Sequence, residues 1–263
     1  MEPGGSAFAP TVLHRWGQHQ NLLPGLALAA LAAAGWIYVA YHPSATGGTG
    51  SMARGGPGGG AVFLSGWTAM MTAMMVPATL PLILLYRAIA RNRLSPAQSR
   101  IGTMVLLTGY LGVWAAAGMP VYGYSLLAGT AGSLAAVLPA SLLVAGGIYQ
   151  FTPLKRICHA RCSSPLFFLL QNWRQGPAGA LRLGVVHGLD CLGCCAGLMT
   201  SLVALGMMNL AWTLTAAVVV FAEKTIPGSH RLARPLGVLM IAGGIALLGA
   251  SLLGGVAPQM KPM

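Results

Sequence analysis

Apolar residues fall along this chain in long blocks. Residues 22–41, 61–85, 101–124, 133–150, 183–205, 206–222 and 236–256 form seven of them, and the only Asp, Glu, Lys or Arg inside any of them is Asp190. A bilayer core of about 30 Å is crossed by about 20 residues at a helical rise of 1.5 Å. The pattern therefore predicts an all-α, polytopic transmembrane bundle of seven helices. No polar loop separates 183–205 from 206–222, so a re-entrant segment over 185–197 followed by one long helix would give six. Alternating ten-residue segments, the mark of a membrane β-barrel, are absent. Some twenty polar or mixed residues precede the first block and no convincing small-residue cleavage site follows it, so it reads as a retained helix and not as a signal peptide. One transmembrane domain over 22–256 then lies between a tail at 1–21 and another at 257–263, with no internal repeat and no second domain.

Composition narrows the classes further. Of 263 residues 56% are hydrophobic and 7% charged, against about 45–50% and about 25% in soluble domains. So little charge cannot cover a water-soluble globule, and a disordered chain would be polar. Five cysteines are too few for a disulfide scaffold.

The net charge of +12 would suggest nucleic acid in a soluble protein. Here it reads as topology, because Lys and Arg concentrate in cytoplasmic loops. Arg15 lies in the first tail. Arg87, Arg91, Arg93 and Arg100 fall in the second loop, Lys155, Arg156, Arg161, Arg174 and Arg182 in the fourth, and Lys224, Arg231 and Arg234 in the sixth. Seven helices with the N-terminus inside leave only Arg54 and Lys261 outside. The same alternation favours splitting the fifth and sixth helices. Lipid binding by the basic loops is a weaker reading. Residues 44–60 are Gly-rich and read as a flexible outer loop. The abundant Gly and Ala within the spans suit close helix packing.

The strongest chemical signal is His187-Gly-Leu-Asp190-Cys191-Leu-Gly-Cys194-Cys195. At about 100° per residue, with His187 at zero, Cys191 falls near 40°, Cys194 near −20°, Cys195 near 80° and Asp190 near −60°. One imidazole and two or three thiols thus share a face, with a carboxylate at its edge. Thiolate and imidazole are ligands for Cu(I), Zn(II) and similar metals. The plain alternative is packing, since free Cys is among the most buried residue types, but three thiols in five residues with a His at i,i+4 favour metal or thiol chemistry. Asp190 about one turn inside the membrane is costly and by default functional. It could ligate, hold His187 in orientation, or simply pair with Arg182.

A second signal is Trp67-Thr-Ala-Met70-Met71-Thr-Ala-Met74-Met75-Val-Pro77-Ala-Thr-Leu-Pro81. Met70 and Met74 share one face, and Met71 and Met75 its neighbour. Thioethers are soft, neutral ligands that prefer Cu(I). Pro77 frees the Ala73 carbonyl, and Pro81 does the same one turn later. Taken alone, the methionines would read as filler at an irregular interface. With helix two running inward and helix five outward, both clusters sit at similar depth, which a shared site requires.

Cys158 and Cys162 lie one turn apart, with His159 between them, at the cytoplasmic mouth. They could form a station where a metal comes in or leaves, although basic neighbours repel a free cation. Glu223-Lys224 reads as an interface anchor or an inter-helix ion pair, and Asn209 as a turn. His14, His19, His42 and His230 lie in tails and loops. No catalytic triad, P-loop or dinucleotide fingerprint is present, and three acids in the whole chain leave few candidates for acid–base catalysis. A non-enzymatic role is the favoured reading, with the question left open by the thiols.

At these motifs the chain resembles a bacterial family of predicted metal-binding integral membrane proteins, some of whose members carry a copper chaperone label. The matching stretches are residues 67–81 with Met-Met-x-Pro-x3-Pro, 147–165 with Tyr-Gln-x-Thr-Pro-Leu-Lys and the two cysteines, and 184–227 with Cys-Leu-Gly-Cys-Cys, Leu198-Met199, Met208-Asn209-Leu210 and Glu223-Lys224. The resemblance covers about 63–256. Ala196 stands where an aromatic is common, and Asp190 where an apolar or aromatic residue is expected. The resemblance implies a multi-pass protein of the bacterial inner membrane that handles copper.

The leading expectation is therefore Cu(I) held by Cys191, Cys194, Cys195, His187 and the Met70, Met71, Met74 and Met75 cluster. Cys158, Cys162 and Asp190 are secondary. The ion would pass to a metal-accepting protein partner or across the bilayer. Zinc suits His and Cys equally well; the methionines favour copper. Two other classes remain open at this point, a membrane thiol oxidoreductase and a scaffold subunit whose sulfur is packing.

Overall fold

The computed structural model describes residues 10–41, 59–130, 137–206, 210–226 and 232–254, and all regular structure among them is α-helical. The helices are α1 Pro10–Tyr41, α2 Gly59–Arg93, α3 Pro96–Thr130, α4 Val137–Tyr149, α5 Pro153–Cys162, α6 Pro165–Asn172, α7 Gly176–Leu205, α8 Leu210–Thr225 and α9 Ala233–Gly254. Among the described residues each of the seven apolar blocks falls on a single helix, α4 and α8 being short at 13 and 16 residues. The Gly-rich stretch at 44–60 lies almost wholly outside the described residues, as do Asn209, His42 and His230.

Among the described residues four helices are long and apolar enough to cross a membrane: α2, α3 over Pro96–Ala128, α7, and α9 over Ala233–Leu253. α4 and α5 together would make a fifth, broken span, bent by 69°. Gly25–Tyr41 is a shorter apolar helix, and α8 has 16 residues. The expected re-entrant alternative does not occur. Residues 185–197 lie inside the unbroken α7, which ends at Gly206, where φ is +95°. Only glycine adopts such a φ without steric cost, and this residue separates the two spans that lack a polar loop.

α5 and α6 correct the expectation of a simple fourth loop. Each opens on a proline at its first turn (Pro153, Pro165), where the missing N–H costs nothing. Thr152 caps α5, its hydroxyl accepting from the Lys155 N–H at 3.3 Å. α2 is helical through both Pro77 and Pro81.

α7 is the hub, packed against α3, α4, α5 and α8, while α2 packs on α1, α3, α6 and α8 and α9 lies on α4. The spanning windows of α2 and α7 are each 56% buried, against 28% for α3 and 17% for α9; the first two are inner helices and α9 is an outer one. Glycines set the closest approaches. A Cβ at Gly184 would collide with the Leu106 carbonyl of α3, and one at Gly147 would lie 2.8 Å from the Gly237 carbonyl of α9. Two cores result. One gathers Leu82, Ile83, Tyr86, Leu106, Phe168 and Leu183; the other holds nearly all the buried sulfur.

Candidate metal site

The sulfur core is built by α2, α5 and α7. Met70, Met71, Met74 and Met75 of α2 are at most 2% exposed, and so are Cys191, Cys194 and Cys195 of α7. All belong to one contiguous cluster that also holds Cys158 of α5, with Cys162 packed against it. The thioether side chains of α2 and the thiol side chains of α7 therefore share one buried core. Cys158 and Cys162 adjoin this same cluster, the first within it and the second packed against it.

Two contacts hold α5 against α7 and two hold it against α8. Cys158 lies against Gly193, where an added Cβ would come within 2.6 Å of Cys158 Sγ. Arg161 pairs with Asp190 at 3.7 Å. Lys155 and Glu223 of α8 form an ion pair at 3.1 Å, both side chains 3% exposed, and the Lys155 ammonium also donates to the Gln150 amide oxygen. His159 Nε2 meets the Glu223 carbonyl oxygen at 2.7 Å. From α4, the Tyr149 hydroxyl donates to the Gly193 carbonyl at 2.6 Å.

Within the nest, Cys191 is the most connected sulfur. It shares a hydrogen bond with the Tyr110 hydroxyl at 3.0 Å, and the Lys224 ammonium donates to it at 2.7 Å. The same ammonium lies 4.0 Å from Met75 Sδ. Cys194 and Cys195 touch at 3.5 Å, and the Cys194 thiol donates to the Cys191 carbonyl at 3.1 Å. All five cysteines are free thiols. Among the described residues no three His, Cys, Asp or Glu side chains converge at a spacing that would hold a metal ion. The arrangement is a pool of soft donors around a cation, not a finished coordination shell.

His187 stands apart from the thiols' hydrogen bonds. Its ring stacks at 5.7 Å on Tyr110 and meets the edge of Phe168 at 5.1 Å, and its buried Nδ1 has no partner. Asp190 is bound to neither His187 nor Arg182. Its partner is Arg161, and its Oδ2 is buried without one.

Two residues escaped the sequence reading. Glu223 does form an inter-helix ion pair, as one reading of Glu223-Lys224 had it, but Lys224 turns to the sulfur instead of the interface. Tyr110, read only as part of an apolar span, bridges His187 and Cys191. Adjacent residues on a helix diverge by about 100°, so Glu223 and Lys224 could not serve the same partner. That was the available signal.

A family model described as "PpoB2: Copper chaperone" matches residues 64–247, a range that contains every sulfur described above. No curated protein and no solved structure matches the chain.

Proposed function

The chain belongs to the PpoB2 copper chaperone family, and from that premise we propose that its cargo is Cu(I), carried on the sulfur of α2, α5 and α7. Cys191, Cys194 and Cys195 are the primary ligands. Met75 is the nearest thioether, Met70, Met71 and Met74 line the same core, and Cys158 and Cys162 take part in exchange. His187 and Asp190 flank the nest. Two- or three-coordinate sites of this kind suit Cu(I), and neutral thioethers favour it over Zn(II).

One observation carries the reading: Lys224 Nζ is bonded to Cys191 and also lies near Met75, so a positive charge already sits between a thiol and a thioether from different helices. Beside bound copper the ammonium would offset the negative charge of the thiolates that hold it. The thiols need not be preassembled, since an ion handed on by stepwise ligand exchange requires donors that rearrange.

We place the protein in the bacterial inner membrane with seven crossings and a cytoplasmic N-terminus, supported by the clustering of Lys and Arg in alternate loops. Its partner is then a protein that accepts copper. Purified protein loaded with Cu(I) under reducing conditions is expected to retain metal after desalting. The Cys191/Cys194/Cys195→Ser variant is expected to lose it, and equal retention by that variant would place the site elsewhere. Uptake of copper into sealed vesicles would mark passage across the bilayer in place of hand-off.

A further inference from the structure

Beside the sulfur core lies a second concavity that copper handling does not use. It has a volume of about 710 Å3 and is lined by Gln150, Phe151, Lys155, Arg156, His159, Glu223, Ala233 and Arg234. That volume is within the range of small-molecule sites. Its charge is unbalanced. Glu223 is committed to Lys155. The chain has three acids in all, and the other described one, Asp190, is committed to Arg161. Arg156 and Arg234 thus line a cavity whose one described carboxylate, Glu223, is paired with Lys155, and neither arginine has an ion-pair partner among the described residues. Arg234 also stands in the first turn of α9, the end of a helix at which the backbone dipole favours an anion over a cation.

We propose that this cavity binds a phosphate-bearing anion, clasped by the guanidiniums of Arg156 and Arg234, as either a phospholipid headgroup or free phosphate. Guanidinium matches phosphate oxygens in bidentate geometry, and the buried Lys155–Glu223 pair lines the same cavity. A basic residue near a membrane would serve topology anywhere on its side of the bilayer. Two that converge on a cavity from α5 and α9, 78 positions apart in the chain, are a built site. The proposal stands independently of copper.

Native mass spectrometry of the full-length protein, purified with equal phosphatidylglycerol and phosphatidylcholine, tests it, with a parallel titration of inorganic phosphate followed by thermal shift. The expected result is selective retention of phosphatidylglycerol or stabilisation by phosphate. Either falls about tenfold or more in Arg156→Gln/Arg234→Gln and persists in the control Arg91→Gln/Arg93→Gln. Lipid retention without a phosphate effect identifies the headgroup as the source, and the reverse identifies the free anion. Equal losses in both double variants would reduce the effect to general surface charge and overturn the proposal, as would a wild type that shows neither lipid selectivity nor stabilisation by phosphate. If the double glutamine variant does not fold, Arg156→Lys/Arg234→Lys, which keeps the charge but not the fork, is expected to weaken binding. Unchanged binding in that variant would refute the bidentate clasp.

Discussion

The Lys224 ammonium donates to Cys191 Sγ at 2.7 Å, from a helix 33 residues further along the chain. It thereby ties the end of α8 to the middle of α7 at the sulfur that also meets Tyr110. A copper ion between two thiolates would leave a net negative charge in a low-dielectric interior, and Lys224 is placed to offset it. Lys224→Met is therefore expected to weaken Cu(I) binding by about tenfold or more, and Lys224→Arg by less. Competition against a chromophoric Cu(I) chelator measures both. Unchanged affinity in Lys224→Met would remove Lys224 from the account.

Because Cys158 and Cys162 lie on the same cluster as the α7 thiols, Cys158→Ser/Cys162→Ser is expected to lower the affinity of one copper site. It should not delete one of two independent ions. Titration that follows metal stoichiometry and affinity together separates these outcomes. Loss of one metal equivalent with the remainder unaffected would make α5 a separate station.

The Lys155–Glu223 pair is almost fully buried. Removing one partner leaves an uncompensated charge, so Lys155→Met and Glu223→Leu should each cost about 3–5 kcal/mol, whereas the two together should cost much less. Thermal unfolding in detergent, arranged as a double-mutant cycle, reads the coupling. Additive losses would mean that the pair does not act as a unit.

Gly193→Ala would drive a methyl toward Cys158 Sγ. Expected is a loss of about 1–3 kcal/mol of stability and weaker copper retention, since the displaced element carries two thiols. A variant with full stability and full retention would show that α5 yields without consequence.

The long helices were legible because block length and bilayer thickness leave little freedom, and the thiol face of α7 because helical spacing fixes it. Residue counting suggested that the Met and Cys clusters could meet, and they share one core. What could not be read was which helices touch. α5 is short and charged, so it resembled a loop; its order rests on Glu223 and Asp190, partners remote in sequence. Lys224 looked like an interfacial anchor because position at a helix end gives no direction to a side chain. Asp190 stood close to His187 in helical projection, yet Arg161 of α5 captures it. Contacts between elements decided each of these cases.

The central claim is that a thiol of α7 and a thioether of α2 hold the same copper ion. Selenium-edge X-ray absorption of selenomethionine-labelled, Cu(I)-loaded protein addresses it directly. The account predicts a copper neighbour on selenium that disappears when Cys191, Cys194 and Cys195 are replaced by serine. Copper bound in the wild type with no selenium–copper contact would contradict it.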